Sequence, residues 1–266
     1  MTFSNEGPFE GKVPPTVPLP ETPLSGVLVQ IRFPEVLSIA KVDYIAEFQE
    51  LIRSQYPLSN QDQNLVLQVG PEGAKQTTFR NWRFMDAEGG WRVSLATNFL
   101  ALETRAYSSR QNFIERTTTV SQALESTVNP GFMSRVGIRY VDRFQGDILE
   151  DLPRLVRPEV LGLCTPVHLK NINRSWSEVG ATTAAGSMTA RWGFMPPNQT
   201  HEPDLMPPLA APCWFLDTDA YQEFPDTQKF ESDEIGSHVT ELASRSYGFF
   251  RWVVSEELLR ACGGQV

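Results

Sequence analysis

Two short segments of the chain alternate apolar and polar residues in the same way. They read VQIRF at residues 29–33 and VGIRY at residues 136–140. A period of two is typical of a β-strand that buries one face. Neighbouring side chains point to opposite sides of a strand, so Arg32 and Arg139 should lie on the face opposite the apolar side chains. The residues predicted to be buried are Val29, Ile31, Phe33, Val136, Ile138 and Tyr140.

Apolar residues spaced three or four apart predict three main helices. The first follows VQIRF and ends at Pro57, the second stops at the Asn-Pro-Gly of residues 129–131, and a long helix closes the chain. The predicted buried residues are Ile45, Phe48, Ile52 and Tyr56 in the first, Phe113, Thr117, Val120, Leu124 and Val128 in the second, and Ile235, Val239, Leu242, Ser246, Phe249 or Phe250, and Val253 in the third.

Further strands are predicted between these helices. In the first half they are NLVLQV, TTFRNWRFM and WRVSLATNFLALET, the last two joined by the turn sequence DAEGG. In the second half a shorter, Pro-interrupted helix around residues 152–163 precedes two strands in SWSEVGATTAAGSMTARWGFM and one in CWFLDTDAY. Each half therefore predicts the order β-α-β-β-β-α. This order is typical of an α+β fold with a mostly antiparallel sheet and helices on one face.

The chain also repeats short motifs in a constant order. VQIRF recurs as VGIRY, WRFM as WGFM, and LETRAY as LDTDAY, at offsets of 107, 110 and 114 residues. Three matches in register predict a tandem duplication whose halves are related by a pseudo-two-fold axis. The predicted organisation is an extended Pro-rich N-terminal arm over 1–24, a first repeat over 25–130, and a second repeat over 131–266 with a Pro-rich insertion at 195–212.

Composition and charge narrow the class of protein. With 266 residues, 41% of them hydrophobic and 21% charged, the chain is typical of a globular protein, and no apolar run is long enough to span a membrane. It begins without a secretory leader, and its three cysteines show no metal or redox spacing, so we expect a cytoplasmic protein. Nine acidic residues and one lysine between Glu202 and Glu234 account for most of the net charge of −9. A net negative charge argues against binding to nucleic acid, although this surplus of negative charge is confined to one segment.

Four segments resemble a sporadically distributed bacterial family of uncharacterised proteins. They are PLSGVLVQIRFP, NWRFMDAEGGWRVSL, RVGIRYVDR, and LDTDAY with the helix that follows it, and the resemblance extends from Pro23 onward. It implies a cytoplasmic bacterial protein encoded by an accessory gene. A role in host defence, or in a pair similar to toxin and antitoxin, fits such a scattered distribution.

No sequence motif for a catalytic nucleophile, a phosphate-binding loop or a metal site is present, so no catalytic residue, metal ligand or cofactor is predicted. His168, His201 and His238 are far apart, and packed or surface positions are expected for them. Asp217 and Asp219 share a strand face and could hold a cation. An ion-paired strand face is the preferred interpretation, because the first half has Glu103 and Arg105 at the matching positions.

Arginines are the main candidates for an anion-binding site. Arg135, Arg139 and Arg143 lie on one face of a predicted strand, and Arg32 matches Arg139 in the repeat. Two guanidinium groups could hold a carboxylate or phosphate between the halves. The structural alternative is that Arg32 pairs with Glu103 and that Arg139 pairs with Asp217, which would leave no group for a ligand.

Tryptophans are the second set of candidates. Trp82 and Trp192 match in the repeat, and aromatic side chains beside arginines could stack with single-stranded nucleic acid. Packing in the core is the competing interpretation, because neither half carries the density of Lys and Arg that nucleic-acid binding needs.

Two functional hypotheses follow. In the first, the protein is a non-enzymatic module that binds a protein partner or a second copy of itself through a groove between the halves or through the Pro-rich segments. In the second, it is an enzyme or sensor that binds a phosphorylated small molecule or nucleotide between Arg32 and Arg139. Neither hypothesis involves a membrane.

Overall fold

The structure of the protein is a computed structural model. It describes residue 3 and residues 7–70, 73–165 and 170–266, except for the side chains of residues 62–80, 226 and 227. The strands are β1 (Leu24–Arg32), β2 (Leu58–Gly70), β3 (Gly73–Met85), β4 (Trp91–Ala96), β5 (Phe99–Thr104), β6 (Phe132–Phe144), β7 (Ser177–Thr183), β8 (Gly186–Met195) and β9 (Cys213–Lys229). The helices are a short 3-10 helix (Leu37–Ala40), α1 (Val42–Ile52), α2 (Arg110–Thr127), α3 (Asp147–Glu150), α4 (Leu152–Leu155), α5 (Pro158–Leu161), α6 (Ser232–Val253) and α7 (Glu256–Ala261).

The strands form a mostly antiparallel sheet in the order β2-β3-β4-β5-β1-β6-β9-β8-β7. Consecutive strands β2 to β5 pair as antiparallel hairpins, and so do β7, β8 and β9. Strands β2 and β7 are the edges of the sheet. The predicted α+β class and the mostly antiparallel sheet are confirmed.

The first half contains one more strand than the sequence pattern predicted. The segment WRVSLATNFLALET forms two strands, β4 and β5, rather than one. Ala96 pairs with Phe99, so Thr97 and Asn98 alone connect the two strands. A two-residue connection is the tightest common hairpin loop, and the apolar residues on both sides of it concealed the turn in the sequence. The order in this half is β-α-β-β-β-β-α.

Burial agrees closely with the periodicity. The predicted core residues of β1, α1, α2 and α6 are all buried. Val136 and Ile138 are buried as well, but Tyr140 is only half-buried, which corrects the expectation for this residue. Val141 and Asp142, on opposite faces of β6, are both buried, so the simple alternation fails here. The alternation fails because the Pro-rich insertion contacts Arg139 and Arg143, which lie on the same face of β6 as Val141. Both faces of the strand are therefore covered at this point.

The chain divides into two compact units, which share β1, β6, β9 and α6. The unit called here the hairpin unit comprises residues 28–136 and 223–239. In it, Phe48 of α1 packs edge-on against Phe84 of β3, with ring centroids 5.7 Å apart, and Phe113 of α2 stacks on Trp91 of β4 at 5.8 Å. Phe84 pairs with Val93, two residues from Trp91 on the same strand, so α1 and α2 cover the same sheet face.

The other unit, called here the insertion unit, comprises residues 1–27, 137–222 and 240–266. Its N-terminal arm is extended and lies along α6. The ring of Phe9 stacks on Phe249, 5.7 Å between centroids. Arg245 Nη1 donates to the carbonyl oxygen of Gly11 over 2.8 Å, and the Val17 amide donates to the hydroxyl of Tyr247 over 2.8 Å. The arm is thus part of the packed body of this unit.

Candidate functional site

Asp217 is the centre of a buried charge cluster in the insertion unit. It lies on β9, where Phe215 and Asp217 occupy one face and Trp214 and Leu216 the other. Its side chain is completely buried. Arg139 of β6 donates to both carboxylate oxygens, from Nε over 2.8 Å and from Nη2 over 2.7 Å. The predicted Arg139–Asp217 pair is confirmed, with the bidentate geometry that makes arginine–carboxylate pairs strong.

The Pro-rich insertion contributes two more members of the cluster. His201 Nε2 lies 2.9 Å from Asp217 Oδ2, and Glu202 Oε2 accepts from Arg139 Nη1 over 2.6 Å. Further along, Arg143 Nη2 donates to the carbonyl oxygen of Pro207 over 2.7 Å. The insertion therefore folds back onto the sheet face that carries Arg139 and Asp217.

Apolar packing holds the same loop in place. Leu205 and Met206 are buried although the insertion has no regular secondary structure. The Ser25 hydroxyl donates to the Leu205 carbonyl oxygen over 2.8 Å. A Cβ atom built on Gly26 would lie 2.8 Å from that oxygen, closer than real Cβ atoms come, so β1 needs a glycine where the insertion crosses it.

The imidazole of His201 is enclosed by two aromatic rings. Its centroid lies 4.9 Å from the ring of Trp176 and 4.5 Å from that of Phe215. The Nδ1 atom is buried and has no hydrogen-bond partner in the described part of the chain. The ring is thus a packed side chain with one polar contact, to Asp217. Nothing in the sequence beyond the His-Glu dipeptide within a Pro-rich loop pointed to this role.

The network extends to β7 and β8. Arg191 Nη1 lies 3.9 Å from Asp217 Oδ2, and the two residues are directly opposite in the β8–β9 register. Arg191 Nε also contacts Glu178 Oε2 over 2.5 Å at the edge of the sheet. The network around Asp217 thus contains three carboxylates and two guanidinium groups, so the positive charge of both arginines is neutralised locally.

The charges of the central pair are stabilised by their contacts. Burial by itself raises the pKa of Asp217, but the hydrogen bonds from Arg139 and His201 outweigh it and hold this pKa below its ordinary value. Burial opposes the charge of Arg139 as well, and the contacts with Asp217 and Glu202 raise its pKa nonetheless. Both groups remain ionised at neutral pH.

A second buried carboxyl lies on the opposite face of β6. Asp142 is next to Arg143 in sequence, so its side chain points to the other side of the strand. Burial, reinforced by the negative charge of Asp217, raises the pKa of Asp142 to about 7. Cys262, near the C-terminus, has a pKa raised to about 11 by burial and by the charges of Asp142 and Glu21. Sequence reasoning missed Asp142 because the motif YVDRF is an ordinary strand sequence.

This cluster is built to hold the insertion rather than to take up an anion. The guanidinium of Arg139 is shared by the carboxylates of Asp217 and Glu202, which together exceed its charge. An incoming phosphate at Arg139 would face two negative groups within hydrogen-bond distance of the same guanidinium. The geometry therefore favours the structural interpretation of Arg139.

The other candidate arginines have different surroundings. Arg32 is exposed in the hairpin unit, and its Nε donates to Gln30 Oε1 over 2.9 Å. Glu103 pairs with Arg92, its direct neighbour in the β4–β5 register. The predicted Arg32–Glu103 pair is therefore wrong, because an arginine on the adjacent strand takes the carboxylate. Arg135 is half-buried in the hairpin unit, whereas Arg139 and Arg143 both contact the insertion in the other unit.

The two candidate tryptophans have structural contacts. Trp82 Nε1 donates to the carbonyl oxygen of Ile39 in the 3-10 helix over 2.7 Å, which ties that helix to β3. Trp192 is half-buried and directly opposite Leu216, so it lies on the sheet face away from Asp217. The structure does not place Trp192 beside Arg139.

The other two histidines and a metal site were the remaining candidates from the sequence. His168 lies outside the described residues. His238 packs against Phe224, 5.1 Å between ring centroids. Within the described ranges, no group of three His, Cys, Asp or Glu side chains has the arrangement of a metal site.

Comparisons with known proteins found no matching family model and no matching curated protein. Within the same described ranges, no helix has the length and apolar character needed to cross a membrane.

Proposed function

We propose that the protein is a non-enzymatic binding module that engages a protein partner through the free edge of its hairpin unit. The observation that carries this proposal is the shape of the edge strand. Strand β2 pairs with β3 over its full 13 residues, from Leu58 opposite Met85 to Gly70 opposite Gly73. Strand β4 pairs only with residues 82–85 of β3.

The distal part of this hairpin is a two-stranded ribbon. Nine residues of β3, from 73 to 81, extend beyond β4, which corresponds to about 30 Å at about 3.3 Å per residue. A two-stranded ribbon by itself is at best marginally stable in water. Its outer strand also presents backbone groups that a partner strand can pair with. A protein partner that adds a strand to β2 would stabilise the ribbon and would pair with the backbone groups of its outer strand.

Exposed apolar side chains accompany the base of the ribbon. Leu51 of α1 and Leu58 of β2 are 56% and 48% exposed. Tyr44 lies two helical turns before Leu51 and so on the same flank of α1. Gln49 contacts Ser59 over 3.4 Å, which places this part of α1 beside the start of β2. Apolar side chains beside an open strand edge are typical of an interaction surface.

The Pro-rich segments are less suited to a partner, because both pack on their own unit. The N-terminal arm binds α6 through Phe9 and Val17, and the insertion is tied to the sheet by His201 and Glu202. A groove between the halves stays a prediction. A cytoplasmic location and a role in an accessory system, such as host defence, are part of the proposal and rest on the sequence resemblance.

The test is capture with matched surface variants. A tagged protein in a lysate of its source cells should retain one protein in fixed stoichiometry, measured by mass spectrometry. The double variant Leu51→Ser/Leu58→Ser should lose it without a change in Tm. The control is Leu163→Ser, which alters a more exposed leucine of the insertion unit, 73% exposed, and should retain it.

A shortened hairpin tests the ribbon directly. Residues 63–80 are replaced by Asn-Gly, which closes the pair Asp62–Asn81 with a favoured two-residue turn. Loss of the captured protein with an intact fold supports the proposal. Equal capture by every variant, or a clean monomer that retains nothing, contradicts it. Light scattering of the purified chain shows whether the captured partner is a second copy.

We also propose that the chain arose by tandem duplication with a pseudo-two-fold relation between its halves. In support, VQIRF and VGIRY lie on β1 and β6, which are neighbours, and LETRAY and LDTDAY begin on β5 and β9, the next strands outward. The third pair of motifs does not occupy equivalent strands. WRFM lies on β3, which is three strands away from β1, whereas WGFM lies on β8, which is two strands away from β6. In an experimental structure, superposing residues 26–128 on 133–260 should align β1 with β6 and β5 with β9. Failure of that alignment would overturn the duplication.

A further inference from the structure

A cleft in the insertion unit lies at the two ends of the Pro-rich insertion. Its volume is about 630 Å³, within the range of roughly 300–1,000 Å³ that is typical of small-molecule sites. The apolar part of its wall consists of Ile172, Phe194, Pro196, Pro197 and Pro212. The polar part consists of Asn173, Arg174 and Gln199, all exposed.

One wall is held firmly by the end of β8. The Ser175 amide donates to the Phe194 carbonyl oxygen over 3.1 Å, and the Phe194 amide donates to Ser175 Oγ over 2.8 Å. Gly193, with φ +157°, allows this approach, because a Cβ there would lie 2.2 Å from the Ser175 carbonyl oxygen. Arg174, next to Ser175, therefore projects from fixed backbone.

The opposite wall is equally constrained. Pro196, Pro197 and Pro212 each have a restricted φ. The Asn198 amide donates to the Leu209 carbonyl oxygen over 2.6 Å, which joins the two arms of the insertion close to the cleft. A site whose walls are already ordered loses little conformational entropy when a ligand binds.

The charge of the cleft differs from that of the whole chain. Arg174 is the only charged side chain among the described residues that line it, in a protein of net charge −9. No hydrogen bond or ion pair occupies the guanidinium of Arg174 in the described part of the chain, in contrast to Arg139. Asn173 and Gln199 bring carboxamide donors to the same rim.

We propose that this cleft binds a small anionic ligand, in which a carboxylate or phosphate group is attached to an aromatic or aliphatic body. Arg174 binds the anion with its planar guanidinium, as arginine does for both groups. The carboxamides of Asn173 and Gln199 donate to the remaining oxygens. Phe194 and the prolines pack against the apolar body. This site is independent of the strand edge proposed for a protein partner.

The test uses phenyl phosphate and benzoate as probes, with benzyl alcohol as the neutral counterpart. Titration of the ¹⁵N-labelled full-length chain is followed by NMR. At least one of the two anions should shift the amide signals of residues 172–175 and 194–199, and should bind more tightly than the alcohol. Arg174→Gln should weaken that binding by about tenfold or more, because a charge-assisted hydrogen bond contributes about 1.5–3 kcal/mol.

Arg32→Gln is the matched control, since Arg32 is an exposed arginine of the other unit. It should leave the affinity unchanged. Equal weakening by Arg32→Gln, shifts that appear only outside the cleft, or an unchanged affinity in Arg174→Gln would each overturn the proposal. Arg174 is exposed and forms no hydrogen bond or ion pair in the described part of the chain, so its variant should keep the Tm of the parent protein.

Discussion

Arg139 holds Asp217 with two parallel hydrogen bonds, and the carboxylate of Asp217 is completely inaccessible to solvent. Arg139 also binds Glu202 of the Pro-rich insertion. The same guanidinium therefore joins two strands of the sheet and fastens a loop over them. Four predictions concern the stability of this arrangement and of the segments around it.

Removing the arginine should destabilise the fold strongly. Arg139→Met keeps the apolar stem but leaves the buried Asp217 without its main partner, so the free energy of unfolding should fall by about 3–5 kcal/mol. Urea denaturation measures this change. Glu178→Gln is the control, because the Arg191–Glu178 pair is partly exposed and should contribute at most about 1 kcal/mol. A loss for Arg139→Met as small as that of the control would contradict the structural role of Arg139.

The buried Asp142 should make stability fall as the pH rises. Below about pH 4 this carboxyl is protonated in both the folded and the unfolded chain. Between about pH 4 and pH 7 only the unfolded chain is ionised, which favours unfolding, and above pH 7 the penalty is constant. Asp142→Asn removes the penalty. Its advantage over the parent protein should grow between pH 5 and pH 8, toward a limit on the order of 4 kcal/mol.

Chemical denaturation of both proteins at several pH values checks this prediction. The stability difference between Asp142→Asn and the parent is the relevant quantity, because other titrating groups are common to both proteins. A difference that does not vary with pH would show that the pKa of Asp142 is ordinary in the folded state.

Adding one methyl group at Gly26 should lift the insertion from the sheet. In Gly26→Ala the new Cβ meets the backbone of Leu205, so we expect a loss of about 1–3 kcal/mol. Hydrogen exchange of residues 200–206 should accelerate. Gly180→Ala is the matched control on an open strand, where nothing lies within 4 Å of the new Cβ, and it should be neutral or slightly stabilising. Unchanged exchange in Gly26→Ala would argue against a tightly packed insertion.

The N-terminal arm should loosen when its contact with α6 is weakened. Tyr247→Phe removes the hydroxyl that accepts from the Val17 amide and donates to the Pro15 carbonyl oxygen. We expect a cost of about 1 kcal/mol and faster proteolysis within residues 7–22. Tyr44→Phe serves as the control, since its hydroxyl contacts the Val128 carbonyl oxygen over a longer 3.4 Å. Equal proteolysis of the two variants would contradict the proposed docking of the arm.

Local pattern predicted the elements because burial on one side imposes a period on the sequence. Val29, Ile31 and the apolar face of α6 are buried as their spacing required. The pattern did not separate β4 from β5, because the two-residue turn between them has apolar residues on both sides and leaves the alternation of the segment uninterrupted. It also failed at Arg32, since the alternation of one strand does not say which strand will lie beside it. Arg92, the cross-strand neighbour of Glu103, decided that pairing.

The sequence by itself determined the α+β class and most of the core faces, because both depend on periodicity within single strands or helices. It also predicted the Arg139–Asp217 pair, but the adjacent positions of β6 and β9 in the sheet decided that pairing. Tertiary structure alone decided the position of the insertion. A Pro-rich segment has no periodicity, so its sequence does not indicate where it packs. Only the folded chain brings His201 and Glu202 onto Asp217 and Arg139, and only the fold opens the cleft beside Arg174. Contacts between residues distant in sequence depend on the whole packed arrangement, which local pattern does not encode.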